Sequence, residues 1–317
     1  MANVGKVTTS LATAISKITN SAISGIAKIA GAVVSLFSNT QSLSHGTANS
    51  TDGVYASTTS SNFQLIQSNA WSVSFWIKVG WTNAVNSQCY LIASNASGGV
   101  QDSMWRVHYN ESNNRLQIGW RSANNERSNN FWYFHHPGAG EAGAQSGLGT
   151  TNYWSSSNRG YVNADGFTLI TLTKGTAVTA TVANIEAYWN GQNLGAPFYA
   201  NGNNNGTPAM TAADARNFAI GNNSWNYGGA QGGNGVPSLY DEVALWNKEL
   251  SAAEVLEIWG GAGVLGETTG APSNLQTSSM SSNLIGYWRF ETNGTVSTVG
   301  GATLALNGSS TTSTTHA

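Results

Sequence analysis

The chain has 317 residues, enough to bury a sizeable core, and one all-β domain of about 200–250 residues plus an appendage fits that length. Its net charge is −2, only 9% of residues are charged, and no basic run occurs, which leaves no electrostatic case for nucleic acid or an anionic membrane as partner. Twelve Trp, 11 Tyr and 9 Phe speak against disorder, so the abundant Gly, Asn, Ser and Thr belong to loops and exposed sheet faces.

Residues 1–40 stand apart from the rest. Read in elevens from Val4, lysines recur at Lys6, Lys17 and Lys28, and apolar columns run through Val4, Ile15 and Ile26, then Val7, Ile18 and Ile29, then Leu11, Ala22 and Val33. An 11-residue repeat spans three helical turns at about 3.67 residues each, so these columns predict a nearly straight apolar stripe that bundles with slight right-handed twist. The many Thr, Ser, Val and Ile, with Gly25 and Gly31, oppose an isolated helix. A helix and an extended arm ordered by a partner are therefore both open. Either form makes this an attachment or oligomerisation arm, with Val4, Val7, Leu11, Ile15, Ile18, Ile26, Ile29 and Val33 as its contact positions. No apolar stretch reaches the ~20 residues of a membrane span. Ile29–Phe37 has the hydrophobicity of a signal-peptide core but begins late and follows a patterned segment.

Residues 41–50 read as a polar linker, and residues 51–317 as the main domain. Trp71–Val79 alternates Val73, Phe75, Ile77 and Val79 against Ser72, Ser74, Trp76 and Lys78, a core strand with one mixed face. Cys89, the only cysteine, lies in a strand-like run and reads as a small buried residue; no internal disulfide can form. Met104–Tyr109 and Arg115–Arg121 flank the turn residues 110–114 as a hairpin, and Asn124–Asp165 reads as a long loop. Phe167–Thr173 and Ile185–Trp189 are further strands, the second ending in an Asn190-Gly191 turn. Asn201–Asp214 and Asn222–Pro237 are loops on either side of the Phe218–Gly221 strand. Leu239–Trp246 is a two-faced strand that puts the adjacent acids Asp241 and Glu242 on opposite sides. Ser251 and Glu254 form a capping box, Val255, Ile258 and Trp259 give the following helix an apolar face, and Gly260-Gly261 ends it. In a strand-rich chain that helix must cover a sheet. Leu284–Phe290 is a late strand.

WSVSFWIKV, GFTLITLTKG with IEAYWNGQNLG, FAIGNNS with LYDEVALWNKELSAAEVLEIWG, and SNLIGYWRFETNG together resemble concanavalin A-like, laminin-G-type (LamG) domains. The resemblance covers roughly residues 51–308 and implies an all-β, antiparallel two-sheet jelly-roll sandwich with one short capped helix. The repeated VGKV, ISKI and IAKI units are similar to the leaders of structural proteins from marine tailed phages. That likeness implies a component of the virion surface, homo-oligomeric and partnered by other virion proteins, that displays the sandwich outward.

Jelly rolls also host glycoside hydrolases, whose E-x-D-x-x-E strings aim carboxylates into a cleft. No such string occurs, and no catalytic residue is assigned. His135-His136 lacks metal-site spacing, and there is no G-x-S-x-G elbow. No cofactor is expected apart from calcium, which some LamG relatives hold at a loop rim; Asp102, Asp165 and Asp214 lie in loop-like segments without the clustering that would assign a site. Carbohydrate binding is the better-founded alternative, a module that contacts host surface glycans. Trp132, Tyr133, Trp154, Tyr161, Trp225 and Tyr227 sit in or beside Asn-rich loops, where aromatic rings stack on sugars and amides meet hydroxyls. Taken singly, each of these residues is better accounted for by packing, since a sandwich of this size needs aromatics to pin its long loops.

Overall fold

The computed structural model describes residues 37–45, 54–60, 62–63, 69–79, 88–95, 103–110, 115–120, 130–135, 166–176, 185–195, 199–201, 217–222, 238–263, 267, 269–291, 294–307 and 311–317. The chain divides into two units, Met1–Ser38 and Asn39–Ala317, and the second carries all the strands below. The arm positions Val4 to Val33 lie outside the described residues.

In chain order the strands are β1 (Ser42–His45), β2 (Val54–Thr59), β3 (Trp71–Val79), β4 (Gln88–Asn95), β5 (Ser103–Asn110) and β6 (Arg115–Trp120). Next come β7 (Asn130–His135), β8 (Thr168–Lys174), β9 (Ile185–Trp189), β10 (Gln192–Asn193) and β11 (Tyr199–Asn201). The last are β12 (Asn217–Asn222), β13 (Ser238–Trp246), β14 (Leu284–Trp288), β15 (Ala305–Asn307) and β16 (Thr311–Ser313), with helix α1 (Ala252–Trp259) following β13. One sheet runs β10-β9-β8-β3-β13-β1-β16 with β14 also on β13; the other runs β11-β7-β6-β5-β4-β12-β2-β15. Neighbouring strands are antiparallel throughout the pairings described. The molecule is an antiparallel two-sheet jelly-roll sandwich.

Alternation along the strands builds the layers. Val73, Phe75 and Ile77 of β3, Ile170 and Leu172 of β8, and Val243 and Leu245 of β13 point inward from the first sheet. Val107, Leu116, Ile118, Phe134, Phe218 and Ile220 meet them from the second. The mixed face of β3 is explained by a second apolar layer on the far side of the first sheet. There Trp76, Leu169, Tyr188, Ala244 and Trp246 pack against Val255, Ile258 and Trp259 of α1 and against Leu275, Met280 and Tyr287. Trp76 stacks on Trp259 with centroids 5.2 Å apart and planes at 22°. The first sheet thus carries buried apolar residues on both faces.

The helix forms as the sequence predicts. Ser251 is an extended N-cap whose side chain accepts from the Glu254 amide, while Glu254 accepts from the Ser251 amide, and Gly260 closes the helix at φ 73°. The Asn190-Gly191 turn also holds, with φ 51° and 77°, the left-handed pair that a tight hairpin needs.

Three expectations need correction. Ser42–His45, inside the expected linker, is strand β1, pairing with β13 and β16. Only Leu43 is strongly apolar there, and the strand is created by distant partners rather than by local propensity. Asn130–His135, inside an expected loop, is strand β7, and its run of aromatics suits a pleated surface. Asp241 and Glu242 do not alternate across β13. The register of β13 against β3 shifts between Asp241 and Ala244, and Glu242 has φ 46°. Tyr240 and Val243 both face the inner core, so the bulge turns both intervening acids toward the outer side.

Candidate functional site

The β13 bulge lies where that strand changes partners, from β1 alongside Ser238–Tyr240 to β14 alongside Val243–Trp246. The two acids fill the junction. Asp241 is wholly buried and its carboxylate accepts from the Ala317 amide (2.9 Å), the Asn39 side chain (3.1 Å) and the Glu242 amide (2.9 Å). Glu242 accepts from the Tyr287 hydroxyl and pairs with Arg289 at 3.3 Å. Burial pushes Asp241 up to about 7 against the pull of its three donors. Glu242 is pushed well above the ordinary carboxylate range by burial and by the Asp241 charge, against Tyr287 and Arg289. Glu291 accepts from the amides of Thr40 and Gln41, so carboxylates hold three consecutive residues at the entry to β1. Sealed and engaged by these donors, the pair Asp241–Glu242 joins β13 to Ala317, to Asn39 and to Tyr287.

Several other described carboxylates also accept hydrogen bonds, from less enclosed positions. Glu267 accepts from the Trp259 indole (2.8 Å), the amides of Ala262 (2.8 Å) and Gly263 (2.6 Å), and the Thr269 hydroxyl (2.6 Å). Desolvation raises its carboxyl, but these donors outweigh it and hold the group at about 2. Glu254 pairs with Lys248 at 2.6 Å, and Glu257 accepts from the Ser279 amide. Among the described residues, no group of three His, Cys, Asp or Glu side chains could hold a metal ion. Asp102, Asp165 and Asp214 lie outside the described residues. Among those residues no helix is long and apolar enough to cross a membrane.

The second sheet differs from the first. Among the described residues, its buried apolar side chains other than Ala219 belong to the inner core, and the outer apolar layer draws none of its members from it. Register places Tyr90 beside His108, His108 beside Gln117, Gln117 beside Tyr133 and Tyr133 beside Tyr199. These five positions form one row across β4, β5, β6, β7 and β11. The adjacent row, Ile92, Val107, Ile118, Trp132 and Ala200, contains the core residues Val107 and Ile118. Strand parity therefore puts His108, Gln117, Tyr133 and Tyr199 on the face opposite the core, and a register shift in β4 between Tyr90 and Ile92 keeps Tyr90 in their row. At ~4.8 Å per strand the row is about 19 Å long.

Of the six aromatic candidates, only Trp132 and Tyr133 fall among the described residues, and both are on β7 rather than in a loop. Register separates them: Trp132 takes the core-side row with Ile118, and Tyr133 takes the opposite row. Trp154, Tyr161, Trp225 and Tyr227 lie outside the described residues. His135 ends β7 opposite Arg115. Sequence reasoning missed Tyr90, His108, Gln117 and Tyr199. The His108–Gln117 match was within reach, because a hairpin closing at Asn110 and Arg115 pairs those two positions by counting back. The matches to β4, β7 and β11 depend on non-local pairing that no turn announces.

No family model matches the chain, and no curated protein matches it in sequence. Among solved structures it is similar to a candidate carbohydrate binding protein from Bacteroides ovatus, at 13% identity and a TM-score of 0.46 over 89% of this chain. The likeness spans 61% of that protein's length. It is also similar to a heptameric SAP-like pentraxin from Limulus polyphemus, at 12% identity and TM-score 0.42, covering 75% of this chain and 92% of the pentraxin. A third likeness is to the botulinum neurotoxin serotype D binding domain, with 16% identity, TM-score 0.40, and coverage of 74% and 50%. Scores below 0.5 carry nothing about ligand or partner.

Proposed function

We propose that this chain is a non-enzymatic display and recognition protein of a phage particle. Its sandwich binds carbohydrate on the second sheet, and its N-terminal arm attaches it to other virion proteins or to its own copies. The observation that carries the recognition half is the register row Tyr90, His108, Gln117, Tyr133 and Tyr199 on the face opposite the core. Phenol rings give a sugar's apolar face a stacking surface, and amide and imidazole groups meet its hydroxyls. A row of about 19 Å accommodates several sugar rings in line. The first sheet offers no such face, since α1 and the segments after it cover its outer side. The non-enzymatic half is supported by the described carboxylates, of which Asp241 and Glu242 are sealed and Glu267 is held by four donors.

The attachment half is supported by the lysine-punctuated elevens of residues 1–37. A chain lacking those residues is expected to fold but to be missing from purified particles; its presence there at parental copy number would remove the arm's role. For the recognition half, a glycan array probed with the full chain is expected to show a restricted set of binders, lost in Tyr133→Ala. An array without binders would end the carbohydrate reading and leave the display role standing alone.

A further inference from the structure

The outer face of the first sheet encloses a seam of polar atoms that the apolar layer above it leaves without partners. Two register rows cross that face: Trp246, Ser72, Thr173 and Glu186, and beside it Ala244, Ser74, Thr171 and Tyr188. Ser72 is satisfied, donating to the Lys248 carbonyl at 2.8 Å and accepting from the Leu250 amide at 3.0 Å. Its neighbours are not. Ser74 Oγ, Thr171 Oγ1, Thr173 Oγ1 and Trp246 Nε1 are enclosed without a hydrogen-bond partner, in residues whose exposure is 0–1%. A single orphaned hydroxyl is tolerable in a fold of this size, but four orphans on adjacent positions of three neighbouring strands are not explained by chance. The inward-facing residues that alternate with them on β3 and β8, Val73, Phe75, Ile170 and Leu172, are apolar.

We propose that ordered water occupies the seam and bridges the Ser74, Thr171 and Thr173 hydroxyls and the Trp246 indole N–H. The chemistry matches in both directions. An indole N–H can only donate, each hydroxyl can donate and accept, and an internal water needs two to four such partners. On β9 the rows reach half-buried Glu186 and buried Tyr188, whose hydroxyl donates to the Glu186 carboxylate at 2.5 Å, and Asn193 of β10 beyond them donates to the same carboxylate. That polar end is where the enclosed water exchanges with solvent. The cover over the first sheet then has two parts: a dry one around the Trp76–Trp259 stack, and a wet one over Ser74 and the two threonines.

The test is a high-resolution crystal structure of the full chain, with thermal melts of the full-chain variants Thr171→Val and Ser74→Ala. A wet seam shows water density within hydrogen-bonding reach of at least two of the four atoms. It also makes each variant melt lower, by about 2–4 °C, because the water loses a partner that no apolar group replaces. A seam without density overturns the proposal, whatever the melts show. Density combined with variants that melt at or above the parent also overturns it, since such water would not be bonded to these hydroxyls. If a variant fails to fold, the density in the parent decides alone.

Discussion

Replacing Trp259 tests how the helix is bound to the sheet, and the structure sets the size of the effect. The indole is fully buried, stacks on Trp76 at 5.2 Å, and donates from Nε1 to Glu267 at 2.8 Å. Gly270 presses against its face, where an added Cβ would come within 2.3 Å of the ring. Truncating a buried Trp to Ala typically costs about 3–5 kcal/mol. Loss of one charge-assisted donor to Glu267 adds to that, about 1.5 kcal/mol or more. Trp259→Ala is therefore expected to lose roughly 4.5–6.5 kcal/mol, or about 9–26 °C in melting temperature at about 2–4 °C per kcal/mol. Trp259→Phe keeps most of the stack but not the N–H, and should lose about 1.5–3 kcal/mol. Guanidinium unfolding followed by far-UV circular dichroism measures both, with no reliance on the tryptophan removed. The reasoning is refuted if Trp259→Ala stays within 1 kcal/mol of the parent. It also fails if Phe costs as much as Ala, because the stack would then contribute nothing.

The remaining predictions concern pH at two buried groups. His45 is 3% exposed, and its Nε2 donates to the Ile220 carbonyl at 3.2 Å, tying β1 to the opposite sheet. Burial lowers its pKa from 6.5 to about 4 against that bond, so the unfolded chain takes up a proton before the folded one does. Its contribution to stability is full above 6.5 and declines as pH falls toward 4, by at most roughly 3 kcal/mol. His45→Gln should abolish that slope in unfolding midpoints measured from pH 4 to 7, and an unchanged slope would show that the imidazole titrates freely. Asp241 acts with the opposite sign: its folded pKa of about 7 exceeds 3.8, so its contribution is present below 3.8 and lost as pH rises through 7. Asp241→Asn should gain on the parent across that window, by at most roughly 4 kcal/mol, and a flat difference would contradict the burial argument.

The regular parts of the fold were legible in the sequence because local patterning and tertiary demand agree. Ile185–Trp189 has the bounds its alternation predicts, and the Ser251/Glu254 box forms with Val255, Ile258 and Trp259 buried beneath it. What escaped was non-local. Strand β1 has one strong apolar residue in four and exists because β13 and β16 flank it. The bulge at Asp241–Glu242 arises where β13 changes partner, and a glutamate at φ 46° gives no turn signal of the kind a glycine would. Glu267 gathers three of its four donors from a loop of small residues and the fourth from the Trp259 indole at the end of α1. The candidate site was half legible. Tyr133 was picked out as an aromatic among amides, but its alignment with His108 and Tyr199 depends on pairings among β5, β6, β7 and β11.

The central claim is that the second sheet reads carbohydrate along one register row. A crystal structure of the full chain soaked with the best binder from a glycan array tests it most directly. The account predicts an oligosaccharide running across β4 to β11, with a sugar ring over Tyr133 and hydroxyls bonded to Gln117 or His108. Sugar density confined to a loop rim, with the Tyr133 face bare, would contradict it.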